Sequence, residues 1–365
     1  MKNKLLNNSL LLGSAMLSLN ATAQNKQQQP NIVYIMCDDL TEQAISCYGH
    51  STNKTPNIDR MAKEGVRFTN AFVSNSISGP SRAVLLTGKL SHLNGFTTNS
   101  STFDGKQETF PKLLQKAGYE TAIIGKWHLV SEPTGFDYWK ILPGQGDYYN
   151  PDFITNGKRE RKEGYVTNLI TDYSLEWLEK QKNNLKPFCL MIHHKAPHRN
   201  WMPDIKNLNK FDNVTIPVPD NFFDDYATRG RAANEQEMEI AKKLTNSSDL
   251  KLFDPSKPGF PGVPPDAWLK RLNPEQLQAW INAYEVKNKQ FKASNLSGKD
   301  LAIWKLRRYL QDYLATVQSV DESVGRVLDY LQSSGLSKNT IVVFTSDQGF
   351  YLGEHGWFDK RFMYE

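Results

Sequence analysis

Asn31-Ile32-Val33-Tyr34-Ile35-Met36-Cys37-Asp38-Asp39 reads as a strand that runs straight into two carboxylates. Bulky apolar residues follow one another without polar alternation, the pattern of a strand covered on both faces. Three more runs share that texture: residues 121–125 (TAIIG), 187–193 (PFCLMIH) and 341–345 (IVVFT). Helical spacing fills the intervals, at 109–117 and 166–180. Leu306, Leu310, Tyr313, Leu314, Val317, Val320, Val324, Val327, Leu328 and Leu331 then recur at three- and four-residue steps, before Gly335 as a stop. Alternating strands and helices predict an α/β fold: a large, mostly parallel sheet with helices on both faces. Residues 204–299 differ. Prolines at 217, 219, 255, 258, 261, 264 and 265 interrupt charged helical pieces, and no apolar strand shows. This stretch reads as an insertion, partly loosely packed and partly a rim facing substrate.

Residues 1–23 have the form of a secretory signal. Lys2 and Lys4 precede an apolar stretch at 10–19, and Ala21-Thr22-Ala23 offers a small-residue cleavage site. The stretch is too short to span a bilayer, and no cysteine follows the cleavage point to carry a lipid. Export is expected, to the periplasm in a Gram-negative host, with residues 24–30 as a linker and 31–365 as the main domain. Without the two leader lysines the formal charge falls from +5 to +3. That balance, free of a lysine–arginine block, argues against nucleic acid and mildly favours anionic substrates. Cys37, Cys47 and Cys189 form no disulfide pattern. Cys37 and Cys189, within strand-like runs, read as buried small hydrophobes.

The chemistry sits where the runs end. Open parallel sheets place ligands beyond the carboxyl ends of their strands. Asp38-Asp39 follows the first run and Asp347-Gln348 the last, so four oxygen donors from two strands suit a hard divalent cation. Lys126 and His128 follow another run; one offers a point charge to an anionic oxygen, the other a base or a hydrogen-bond donor. His193-His194-Lys195-Ala196-Pro197-His198-Arg199 follows a third. No cysteine–histidine spacing supports a closed zinc site there, so His193 and His194 read as structural.

The run Ser78-Gly79-Pro80-Ser81-Arg82-Ala83-Val84-Leu85-Leu86-Thr87-Gly88 predicts a short helix. Pro80 suits its first turn and Gly88 its C-cap. Ser78 then lies at the N-terminus, where free N–H groups favour an anion, and Arg82 can turn back toward it.

Residues 78, 80, 81 and 82, with Leu86-Thr87-Gly88, resemble the signature of the type I sulfatases of the alkaline-phosphatase superfamily. The resemblance implies that a sulfatase-maturing enzyme oxidises Ser78 to formylglycine (3-oxoalanine). It implies a Ca2+ ion, with Mg2+ as the alternative, held by Asp38, Asp39, Ser78, Asp347 and Gln348. Arg82, Lys126, His128, His198 and Lys360 would serve catalysis, and His355, in Gly353-Glu354-His355-Gly356, would face substrate. The implied reaction is hydrolysis of sulfate esters on carbohydrates. 6-O-sulfated N-acetylglucosamine of glycosaminoglycans or mucin glycans comes first and an iduronate-2-sulfate second. The resemblance covers 31–365, whereas the family continues past the Lys360 region into a smaller C-terminal subdomain. A chain stopping at Tyr364-Glu365 is therefore expected to lack it. Two other readings stand beside this one. The first is a phosphatase, phosphodiesterase or phosphonate monoester hydrolase of the same superfamily. The second is a non-catalytic fragment that binds sulfated glycans.

Overall fold

The computed structural model describes residues 29–252 and 269–362. The leader, most of the 24–30 linker and the prolines at 255–265 lie outside the described residues. Seven strands form one sheet: β1 (Asn31–Cys37), β2 (Glu120–Lys126), β3 (Tyr138–Leu142), β4 (Asp152–Thr155), β5 (Lys158–Arg161), β6 (Phe188–His193) and β7 (Thr340–Ser346). Their order is β5-β4-β3-β2-β6-β1-β7. All neighbours from β3 to β7 pair in parallel, and only β3–β4 and β4–β5 are antiparallel. The described helices are α1 (Pro56–Glu64), α2 (Ser78–Thr87), α3 (Ser91–Asn94), α4 (Phe110–Lys116), α5 (Val166–Gln181), α6 (Arg231–Glu235), α7 (Ile240–Lys243), α8 (Pro274–Ser294) and α9 (Gly298–Ser333).

Successive side chains of a strand leave the sheet on opposite faces, and two separate cores result. Val33, Ile35, Cys37, Ala122, Ile124, Leu190 and Ile192 pack with α5 and α9 residues such as Ile170, Leu178, Val317 and Val324. Ile32, Tyr34, Ile123, Cys189 and Met191 pack on the other face with Ala83 and Leu86 of α2 and Leu114 of α4. Helices do cover both faces. Cys37 and Cys189 are buried and unpaired within these cores.

The sequence reading missed β3, β4 and β5. β5 is Lys-Arg-Glu-Arg, fully exposed, and carries no apolar signal at all. The findable clue was Asn156-Gly157, both at positive φ (43° and 88°), the turn that joins β4 to β5. The described parts of 204–299 mix exposed residues with a well-packed set. Leu208, Phe211, Ile216, Phe222, Leu250, Trp280 and Tyr284 join the same core as β1, β6 and α9. Isolated large side chains among prolines and charges bury well yet leave no periodicity to read. β7 ends the sheet at an open edge, with Ile341 52% and Val343 36% exposed. Among the described residues no helix is long and apolar enough to cross a membrane.

Candidate active site

The carboxyl ends of β1, β2, β6 and β7 meet the N-terminus of α2. Ser78 opens that helix, and Gly88 closes it at φ 65° with its N–H on the Val84 carbonyl. Gly79 is small for a reason: a Cβ there would lie 2.7 Å from Asn99 Oδ1 and 2.8 Å from Phe96. Gly125 is more constrained still. Its φ is 109°, and an added Cβ would run into the His193 carbonyl oxygen, so the end of β2 pairs with β6 only with glycine there.

Around Ser78 the polar groups interlock. Its hydroxyl donates to Asp38 Oδ1 at 2.9 Å and accepts from Gln348 Nε2 at 3.1 Å. Gln348 Nε2 also reaches Asp39 Oδ1 at 2.5 Å, and the Asp39 N–H donates to Asp347 Oδ1 at 3.1 Å. Arg82, turned back as expected, donates from Nε to Asp347 Oδ2 at 3.1 Å and from Nη1 to the Lys126 carbonyl at 2.9 Å. The Lys126 ammonium pairs with Asp38 and that of Lys360 with Asp39. His198 Nε2 lies 3.8 Å from Asp39 Oδ2. Asp38, Asp39, Ser78, Arg82, Lys126, Asp347 and Gln348 are all buried.

Burial sets the electrostatics. It would raise Asp38, but the fixed charges of Lys126 and then Arg82 overcome it and hold that carboxyl well below its usual range. Asp347 goes the other way, pushed up to about 7 by burial and then by the Asp38 charge, against Arg82. Burial, with Lys126 and Arg82 beside it, brings His128 down to about 3, and burial also holds His198 well below its ordinary value. Both imidazoles are therefore neutral, and His128 Nδ1 has no hydrogen-bond partner.

The donor set fits a hard cation. Asp38, Asp39 and His198 offer atoms within 4.8 Å of one another. Gln348 Oε1 is buried without a partner, and turning that amide over would bring it in beside Asp39 and Ser78. Asp347, pushed toward neutrality in a dry pocket, is a carboxylate for which a divalent ion would compensate. Three carboxylates (Asp38, Asp39, Asp347) face three fixed cations (Arg82, Lys126, Lys360), so a divalent ion would leave the centre positive and ready for an anion.

Three of the sequence-derived histidines stand apart from this cluster. His193 and His194 support it from below: His193 Nδ1 lies 3.2 Å from the Lys126 carbonyl and His194 Nε2 3.0 Å from Ser323 Oγ. His355 is expected to face substrate, and in the structure it pairs with Asp224 at 2.8 Å and lies 3.2 Å from Arg229. Gln145 was missed; its Oε1 accepts from Lys126 Nζ at 2.6 Å. It lies in Pro143-Gly144-Gln145-Gly146 directly after β3, so recognising that strand would have found it. Tyr313 was read only as a core position, yet its hydroxyl donates to the Asp39 carbonyl at 2.8 Å and steadies the turn.

Buried carboxylates, convergent cations and a helix N-terminus at the ends of parallel strands define an anion-handling centre of the α/β class. The chain belongs to the sulfatase family, whose model matches residues 30–362. It is 53% identical over 370 residues to an N-acetylglucosamine-6-O-sulfatase of Bacteroides thetaiotaomicron, covering 98% of this chain and 65% of that protein. It is 28% identical over 381 residues to the iduronate 2-sulfatase of Mus musculus, covering 96% and 60%. A solved structure in complex with its substrate, D-glucosamine-2-N,6-O-disulfate, superposes with a TM-score of 0.90 at 54% identity, over 92% of this chain and 69% of that one. The fold alone is shared with the phosphonate monoester hydrolase of Agrobacterium radiobacter, at TM-score 0.62 and 18% identity, over 92% and 66%. The chain thus spans about 65% of the length of the first of these relatives.

Proposed function

We propose that this protein hydrolyses sulfate esters on carbohydrates, with 6-O-sulfated N-acetylglucosamine units of glycosaminoglycans or mucin glycans as the substrate class. The observation that carries the reading is Ser78 itself, at the α2 N-terminus between Asp38 and Gln348 and ringed by three cations. The relative that shares 53% of its residues is named for that sugar and position.

An unmodified serine is a weak nucleophile and would be left as a stable sulfate ester. Oxidised to formylglycine, residue 78 would supply a hydrated aldehyde as nucleophile, and a Ca2+ or Mg2+ ion held by Asp38, Asp39, Asp347 and Gln348 would supply Lewis acidity beside it. The chain's own groups do the rest. Arg82, Lys126 and Lys360 set fixed positive charge around the sulfate oxygens, where charge builds as the ester bond breaks. His198 presents Nε2 to the centre, and the bound anion favours its imidazolium form, so His198 with Lys360 can protonate the departing sugar oxygen. Neutral His128 is the base that restores residue 78. A sulfatase-maturing enzyme is the implied partner, and export through a leader cleaved after Ala23 the implied route.

The test is the mass of the tryptic peptide covering residues 68–82, from protein made in its native host. A peptide lighter by one hydrogen molecule at Ser78 supports the mechanism. The matched activity test is Ser78→Ala, expected to cut sulfate release from 6-sulfated N-acetylglucosamine by at least about 10^4-fold. Unmodified Ser78 with no sulfate release, but retained glycan binding, would overturn catalysis in favour of a binding protein.

A further inference from the structure

We propose that Arg199, Asp249 and Lys251 form a brace that orients the His198 imidazole, with Asp249 as a positioning residue for the proton donor. The inference rests on the reading above that His198 serves the leaving oxygen.

His198 Nδ1 lies 2.5 Å from the carbonyl oxygen of Arg199. A carbonyl only accepts, so Nδ1 carries the hydrogen and Nε2 is the nitrogen left to the centre, near Asp39. Everything then depends on where the Arg199–Asn200 backbone is held, and it is held from outside the cluster. The Arg199 guanidinium forks onto Asp249, Nε to Oδ1 at 2.8 Å and Nη2 to Oδ2 at 2.5 Å. A two-point fork of this kind fixes the plane of the group as well as its position. The next carbonyl, that of Asn200, accepts from Lys251 Nζ at 2.6 Å.

Asp249 and Lys251 are both fully buried. Burying such charges is costly and is tolerated when their hydrogen bonds are filled. Asp249 fills its remaining positions with the Thr245 N–H at 2.7 Å and hydroxyl at 2.9 Å. The loop is thus anchored on one side and grips the segment after His198 on the other. Arg199 also lies over the Phe358 ring, 4.9 Å from its centroid and two residues before Lys360. One guanidinium therefore links both proton donors of the proposed reaction. A small misplacement of such a donor is enough to slow the step it serves.

The test uses the full chain and two readouts. In nitrogen-15 histidine-labelled protein, with His198 identified by the signal lost in His198→Gln, the imidazole should carry its proton on Nδ1. Asp249→Asn should give mixed tautomers while the melting curve stays cooperative, and Asp249→Glu should restore part of the Nδ1–H population. In activity, Asp249→Asn should cost about tenfold more kcat on a sugar 6-sulfate than on 4-nitrophenyl sulfate, whose leaving group needs no proton. KM should move little. Unchanged nitrogen shifts in folded Asp249→Asn, or equal losses on both esters, would overturn the brace. If the unaltered protein hydrolyses neither ester, the sulfatase reading fails, and the nitrogen shifts still decide the brace.

Discussion

Two clusters of acid and base lie on the same sheet and behave in opposite ways. At the ends of β1 and β7, Asp38, Asp39 and Asp347 meet Arg82, Lys126 and Lys360 out of contact with water. At the far edge, Asp152 of β4 meets Arg159 and Arg161 of β5 and Arg271, and the first two arginine side chains are 60% and 63% exposed. Hydrogen bonds from Arg161, then Arg271 and Arg159, outweigh the burial of Asp152 and hold it well below the carboxylate range. In the buried cluster one carboxyl is pulled down while another is pushed to about 7. Similar residue types thus form a settled ion pair at the edge and an unsettled one at the centre. What differs is the solvent, since water screens the first set and leaves the second to demand a ligand.

That contrast can be broken by measurement. The largest effect should come from the floor of the buried cluster. Burial holds His194 down to about 4, so it stays neutral in the folded chain. Its contribution is complete above the unfolded value of about 6.5 and is lost as pH falls toward 4, a decline of about 3 kcal/mol. Urea titrations of wild type and His194→Gln should therefore converge as pH drops from 7 to about 4. Parallel curves would show that burial there is not what sets the charge. Next comes the cation. Saturating Ca2+ added to chelator-treated protein should stabilise it by about 2 to 3 kcal/mol, raising Tm by roughly 3 to 4 °C, and Asp347→Asn should erase most of that gain. An equal response in Asp347→Asn would remove Asp347 from the ligand set. The smallest effect belongs to the edge cluster, whose two β5 arginines reach water. Asp152→Asn should cost about 1 kcal/mol in urea, shrink further at high salt, and leave the Ca2+ response intact.

The sequence disclosed this molecule unevenly, for physical reasons. Strands covered on both faces cannot hide, because each must be apolar throughout, and β1, β2, β6 and β7 were read to within a residue or so of their ends. β5 hides because an exposed edge strand needs only to be polar. Site residues followed the strands. Those at the ends of legible strands, Asp38, Lys126, His198 and Asp347, were found and the structure brings them together. Gln145, after the unread β3, was not. Asp249 was beyond reach altogether, since an aspartate 50 residues from Arg199 in sequence carries no local mark of what it grips.

The close approach of Gly125 to the His193 carbonyl bears on how such a centre can be altered. Charges around Ser78 can be exchanged side chain by side chain, and each exchange is a trial of chemistry. Position 125 offers no such trial: any side chain added there meets the His193 backbone first, and backbone cannot swing aside as a side chain can. Libraries built to shift the specificity of this fold should spend their diversity elsewhere and carry that codon unchanged, because the fit of β2 beside β6 depends on an atom being left out.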